Sequence, residues 1–429
     1  MKTIGKITVG NSFFFIFIYA FLGVISYAEA APFFQNPNQQ TITYKGEVVN
    51  SRTGNSISSA YLLVVGTNIS TVTNNDGEFS LKLPAALTEA TITTSYLGYE
   101  SKTLPLEYFK GKNTVIELDE SVEKLAEVAI FDATNATSLV REMLDNRDEN
   151  YVNDKILMTV FYRETIKRGR RNVSLSEAVL EIYKEPNNSS RNDDVAIVKA
   201  RKSTDYERLD TLALKLRGGP FNTLYLDAMK YPDFLFANSV KDYKFSFEEP
   251  VQINDRYTYV VAFEEKHKQH PWYFGKLFID AKTNTLVRAA YTLNVDNRRE
   301  AANMFVQKKP GRSKVYPISV AYEVDYREDD GKWYYGYGNA KLTFVVNWKR
   351  KLFNSRYHVN SEMAVTDWKV LPDEKIKKED FIKPSIIMAD DVSGFADIGF
   401  WGANNIIEPE KSIQNAIDKI QRQLERNKD

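Results

Sequence analysis

The sequence predicts a mainly β protein: a small N-terminal β-sandwich over residues 41–119, then a larger antiparallel, curved sheet domain over 151–370 with a few helices. Three observations predict it. Between residues 316 and 327, Tyr316, Ile318, Val320, Tyr322, Val324 and Tyr326 share one parity, and Pro317, Ser319, Ala321, Glu323, Asp325 and Arg327 share the other, as in a strand with one buried face. Residues 327–332 then supply turn chemistry and the alternation resumes at Trp333, which makes the stretch a hairpin. Residues 272–280 and 286–293, separated by a turn at 281–285, repeat the pattern. From Thr41 onward, short β-rich runs alternate with turn signals every few residues, the spacing of a small sandwich.

Composition bounds the function. The chain has 429 residues, 43% hydrophobic and 13% aromatic, enough for two or three packed domains. Lys plus Arg and Asp plus Glu both number 57, so no global field recruits nucleic acid or anionic lipid. The absence of cysteine excludes disulfides, thiolate metal sites and cysteine nucleophiles.

At the N-terminus, Lys2 and Lys6 precede an apolar run at 13–25, and Ala28-Glu29-Ala30 stands before Ala31. This is the pattern of a cleaved signal peptide over 1–30 and predicts export, to the periplasm or the outer membrane. Thirteen apolar residues fall short of the ~20 that span a bilayer as a helix, and no later stretch reads as a transmembrane helix. No cysteine follows the run, so it is not a lipoprotein signal.

In the sandwich, Asn74-Asn75-Asp76-Gly77 supplies residues that tolerate the positive φ of a tight turn. Phe79, Leu81 and Leu83 share a parity and point inward. The run GEVVNSRTGNSISSAYLLVVGTNISTVTNNDGEFSLKLP, followed by ATITTSYLGYESKTL, resembles the carboxypeptidase regulatory-like domain, a transthyretin-like sandwich of Gram-negative envelope proteins. Gly46, Gly54, Ala60, Gly66, Thr73, Asn75, Gly77, Phe79, Leu81, Tyr96, Gly98 and Tyr99 stand where that family has its turns and core, whereas Ser58 replaces the usual proline. The resemblance implies a fold without catalytic groups.

Residues 120–150 read as a linker and a helix, with Leu139, Val140, Met143 and Leu144 as its apolar stripe and Thr137 or Ser138 as its cap. Strands follow in ILMTVFYRETI and NVSLSEAVLEIYKEP; ENY, FYRE and SEAVLEIYK in this order resemble the segment after the regulatory-like domain in a group of exported proteins. Residues 187–240 are irregular, with room for a short helix. Strands resume at Tyr243, where Tyr257, Tyr259, Val261 and Phe263 share a face, and a strand pair is expected around 357–370. Residues 371–429 form an irregular tail ending in a helix, with Ile413, Ala416, Ile417, Ile420 and Leu424 along one stripe.

Candidate chemistry is sparse. His267 and His270 lie near Glu264 and Glu265, but Lys266 and Lys268 repel a cation, and a charged hairpin tip accounts for the cluster without a metal. The pairs Asp193-Asp194, Glu248-Glu249, Glu264-Glu265, Asp329-Asp330 and Asp390-Asp391 are expected in solvated turns or on opposite strand faces, where they do not converge on a substrate. No serine triad or phosphate-cradling loop is present, since Pro220 follows Gly218-Gly219. The expectation is a protein without catalysis, metal or cofactor. Aromatic density stands out instead: with Trp333, Tyr334, Tyr335 and Tyr337 both parities carry rings, one belongs to the core, and Trp333, Tyr335 and Tyr337 are the candidate face for an envelope protein, glycan or lipid.

The first reading is a non-catalytic envelope protein for binding or assembly. YFGKLFIDAKTNTLVRAAYTL resembles the Gly-x-Leu-x-Ile-Asp hairpins of half-barrel carriers of lipids and lipoproteins, which implies a carrier with an apolar ligand in its concave face. An outer-membrane β-barrel component, and a hydrolase by domain association, are the other readings.

Overall fold

The computed structural model describes residues 40–418 except 112–113, 122–132, 170, 205–214, 217–218, 232–239, 254–255, 268–270, 309–312, 350–353, 372–380, 387, 389–399, 412 and 416. The expected signal peptide, His270, Asp390-Asp391, Ala416, Ile420 and Leu424 lie outside the described residues.

Seven strands build the sandwich: β1 (Thr41–Asn50), β2 (Tyr61–Val64), β3 (Ser70–Val72), β4 (Glu78–Pro84), β5 (Thr91–Ser95), β6 (Lys102–Pro105) and β7 (Thr114–Leu118). They form sheets of order β4-β1-β7 and β3-β2-β5-β6. Phe79, Leu81 and Leu83 are buried between them with Val48, Leu62 and Ile116. At the 74–77 turn, Asn74 Oδ1 accepts from the Asp76 and Glu78 amides, and Gly77 takes φ 77°. A Cβ on Gly77 would lie 2.8 Å from the Val48 carbonyl, so glycine is required there for space as well as for conformation.

After α1 (Ala133–Asp145) and the short α2 (Arg147–Asn150) come β8 (Ile156–Arg168), β9 (Arg171–Lys184) and β10 (Asp194–Thr204). Helix α1 begins at Ala133, ahead of the Thr137 and Ser138 expected to cap it, and buries Ala136, Val140, Met143 and Leu144. The chain then passes through β11 (Lys215–Leu216) and α3 (Phe221–Leu224) to β12 (Tyr243–Ile253), β13 (Arg256–Glu265), β14 (Tyr273–Asp280) and β15 (Leu286–Leu293). A helix unforeseen in the sequence, α4 (Arg298–Phe305), and β16 (Val306–Lys308), which pairs with β11, precede β17 (Ser313–Asp329), β18 (Lys332–Trp348) and β19 (Ser355–Val370). The last is one 16-residue strand, where a strand pair was expected.

The large sheet has ten antiparallel strands in the order β10-β9-β8-β19-β18-β17-β15-β14-β13-β12. From β12 the chain walks strand by strand back to β19, which closes on β8. Its central hairpin turns at Asp330 and Gly331, with φ 48° and 75°, the geometry that matches strand twist.

One face of this sheet packs against α1, α3 and α4 in a single core that includes Tyr162, Leu180, Leu277, Val320 and Phe344. The opposite face carries the sandwich and the described residues between 400 and 418. Phe161, Val179, Tyr337 and Ala364 from the sheet meet Val72, Trp401, Ile406 and Ile407 there. Ser70 Oγ donates to the Val365 carbonyl (3.1 Å) and Asn68 Nδ2 to the Trp368 carbonyl (2.8 Å). The C-terminal segment is a strap joining the two. Arg163 Nη2 donates to the Ile407 carbonyl (2.6 Å), and Lys82 Nζ of the sandwich to the Gly402 carbonyl (2.8 Å). Beyond it, Ile413 and Ile417 are buried against Leu175, in keeping with the predicted stripe.

Candidate functional site

The helix-bearing face of the large sheet is concave and holds a cavity of about 180 Å³. Residues of β14, β15, β17, β18 and β19, neighbours in the sheet, border this one space. Strands are spaced at about 4.8 Å, so four spacings of sheet arc around it. Tyr273, Tyr291 and Tyr322 form one wall: the Tyr291 and Tyr322 rings lie 5.1 Å apart at 31°, and Tyr273 stands edge-on to Tyr291 at 5.5 Å. Ala340, Leu342 and Ser361 complete the sheet side. The facing wall comes from the segment after α3, where Tyr225 and Tyr231 pack edge to face at 4.8 Å, with Leu226 and Ala228. Met304 and Phe305 of α4 and Asn222 of α3 line the rim, and Met304 remains 41% exposed.

Sequence alternation explains the sheet wall; buried charges explain the other. Residues 219–231 carry little regular structure and are pinned down by polar contacts. Asp227 accepts from Lys184 Nζ (2.6 Å), Tyr326 OH (3.0 Å) and the Met229 amide (3.2 Å). Lys230 pairs with Asp193 at 2.6 Å, and the Asp193 amide donates to Tyr231 OH (3.0 Å). Tyr335 OH donates to the Thr223 carbonyl (2.9 Å). Burial opposes the charge on Lys184, but the carboxylates of Asp227 and Asp193 outweigh it and hold its pKa above the ordinary lysine value. Paired in this way, the ions can stay charged out of water. Burial, with Asp193 beside them, raises Tyr225 and Tyr231 above the usual phenol range, so both hydroxyls remain protonated.

The candidate aromatic face is placed otherwise than expected. Trp333, Tyr335 and Tyr337 are all buried, at 3%, 1% and 3% exposure. Trp333 and Tyr335 belong to the concave core, while Tyr337 lies on the opposite face beneath the sandwich. A register shift opposite Asp325 and Tyr326 adds a residue at Gly336, so rings two apart point in opposite directions. Gly336 is needed for this, because a Cβ there would sit 2.6 Å from Arg327 Nε.

His267 is exposed, and His358 contacts Thr343 Oγ1 through Nδ1 at 3.1 Å. Among the described residues no group of three or more His, Asp or Glu is placed to hold a metal. The acidic pairs are not uniformly solvated: Asp193 and Glu265 are buried, the first on Lys230 and the second accepting from Asn294 Nδ2 (2.6 Å). Each meets that close partner through one carboxylate oxygen. No local pattern signals Asp227, Lys184 and Lys230, which meet only through tertiary folding, whereas the rings at Tyr273, Tyr291 and Tyr322 follow the strand alternation.

The face under the sandwich is a dense charge network. Glu177 accepts from Arg163 Nε (2.8 Å) and Arg201 Nε (2.6 Å), Glu362 lies 3.4 Å from Arg163, and Arg201 stacks over Trp401 at 4.9 Å. Burial pushes the Glu177 carboxyl up, but the two guanidiniums outweigh it and hold its pKa below the ordinary range. Arg327 stacks over Tyr61 at 3.5 Å, and Arg288 over Tyr96 at 5.8 Å. The seam retains a cavity of about 50 Å³ beside Tyr61 and Tyr96, and an opening of about 410 Å³ lies at its edge between Asn75, Lys167, His358 and Glu410.

Residues 44–130 match the family model described as the CarboxypepD_reg-like domain, so the N-terminal sandwich is a domain of that kind. No curated protein is significantly similar to the chain. Among solved structures, the chain is similar to a putative outer membrane lipoprotein-sorting protein domain from Vibrio parahaemolyticus, with 12% identity and a TM-score of 0.26 over 57% of this chain and 95% of that one. It is similar to the MucA/MucB complex of Pseudomonas aeruginosa at 13% identity and a TM-score of 0.19 (54% and 94% covered). The LolA superfamily protein NE2245 from Nitrosomonas europaea aligns at 12% identity and a TM-score of 0.20 (58% and 99% covered). At such identities and scores the likeness carries neither ligand nor partner across.

Proposed function

We propose that the protein is an exported, non-catalytic binding protein of the cell envelope that holds a small apolar ligand in the concave cavity of its large sheet. The observation that carries this is the cavity of about 180 Å³, walled by tyrosine rings on two sides and open at a rim marked by Met304. Well-packed interiors rarely leave such a space, and ligand sites are concave and mostly apolar with a few polar groups, as here. Among the described residues no carboxylate, histidine or lysine lines it, so those present bind without offering an acid, base or nucleophile of ordinary strength. Export rests on the N-terminal pattern of Lys2, Lys6 and the apolar run up to Ala31.

Native mass spectrometry of protein purified from the envelope fraction, paired with a Nile red titration, tests the reading. A co-purifying small molecule, or saturable dye binding that weakens at least tenfold in Ala340→Leu, is expected. Absence of any adduct together with dye binding unchanged in a normally folded Ala340→Leu would contradict it.

A further inference from the structure

We infer that the ligand of the concave cavity is a neutral monocyclic aromatic, phenol-like in character, and not an acyl chain. The inference rests on the binding reading above and narrows it. Size comes first: an apolar cavity of about 150 Å³ takes up benzene, and this one, at about 180 Å³, has room for one ring and a small substituent. A long acyl chain is bulkier than this space and would have to run out past the rim or displace a wall. The facing wall is anchored, since Asp227, Lys230 and the Thr223 carbonyl tie that segment to Lys184, Tyr326, Asp193 and Tyr335.

The lining chemistry points the same way. Tyr291 and Tyr322 lie tilted to one another, and Tyr225 and Tyr231 stand edge to face, so the lining is an aromatic cluster that a further ring can join in the arrangements aromatic pairs favour. An aliphatic guest uses neither. The rim adds Asn222 and the sheet side Ser361, neutral groups suited to a hydroxyl. Among the described residues nothing lining the cavity carries a charge to compensate an ionised ligand, and an unpaired buried charge is costly, so the guest is neutral. Met304, unbranched and partly exposed, gives the rim an adaptable side chain.

Isothermal titration of the full chain with p-cresol, 1-naphthol and 1-dodecanol decides this. Expected is one-to-one binding of p-cresol, at least tenfold tighter than 1-dodecanol, with 1-naphthol weaker than p-cresol and Ala340→Leu costing at least tenfold in p-cresol affinity. If 1-dodecanol binds and p-cresol does not, the ring assignment is overturned while the cavity remains a ligand site. If none of the three binds, the binding reading itself falls and this inference with it. Should Ala340→Leu fail to fold, the order of the three probes on the unaltered chain decides alone.

Discussion

The two faces of the large sheet are built from the same alternation and put to opposite uses. On the concave face, α1, α3 and α4 cover the strands incompletely and leave a tyrosine-walled space. On the other, the sandwich and the 400–418 strap press against Arg163, Arg201, Arg288 and Arg327, whose charges are answered by buried carboxylates, backbone carbonyls and aromatic rings. The lesson is that the regulatory-like domain is here a fixed part of the fold, clamped through polar contacts, whereas the helix-bearing face keeps a space walled by aromatic rings. The proposed ligand site is that ring-walled space.

The comparison can be broken at the clamp with the largest effect. Glu177→Gln leaves Arg163 and Arg201 without their shared buried carboxylate, and removing one partner of a buried pair costs about 3–5 kcal/mol. The folded-state pKa of Glu177 is depressed, so its contribution is present above the unfolded value of 4.5 and is lost as pH falls through the folded value. Urea midpoints at pH 7 are expected to differ strongly between the two proteins, and the gap is expected to shrink on acidification below about the ordinary carboxylate pKa of 4.3. Equal midpoints at pH 7 would mean that the network is not what holds the strap.

A smaller effect sharpens the same side. Lys82 anchors the strap at Gly402, and burial lowers its pKa from 10.5 to about 8. Between these values the unfolded chain binds a proton that the folded chain has lost, so stability contributed by this group rises with pH across that window. Lys82→Met is expected to flatten the slope of the thermal midpoint between pH 8 and pH 10, and an unchanged slope would contradict the assignment.

Much of the scaffold was legible because it follows local rules. The Asp330-Gly331 turn, the inward Phe79, Leu81 and Leu83, and the rings of Tyr291 and Tyr322 all follow from strand parity and turn chemistry. Parity fails at a bulge, and Gly336 marks where it failed: an extra residue sends Tyr335 into the concave core and Tyr337 beneath the sandwich, which turns an apparent surface patch into two buried contacts. The same limit hid Ile318, where another register shift leaves the side chain 36% exposed although its parity reads as core. Asp227 and Lys184 are 43 residues apart, and Arg163 and Ile407 are 244 apart, so no local pattern announces either contact. The strap reads as an irregular tail because its order comes from the surfaces it joins.

The account turns on the concave cavity being the place where a ligand enters. A crystal of the full chain soaked in p-iodophenol tests this by the anomalous signal of iodine. The account predicts a single strong peak in the space between Tyr225 and Tyr322; a peak only in the seam beside Tyr61 and Tyr96, or an inner space filled by its own side chains, would contradict it.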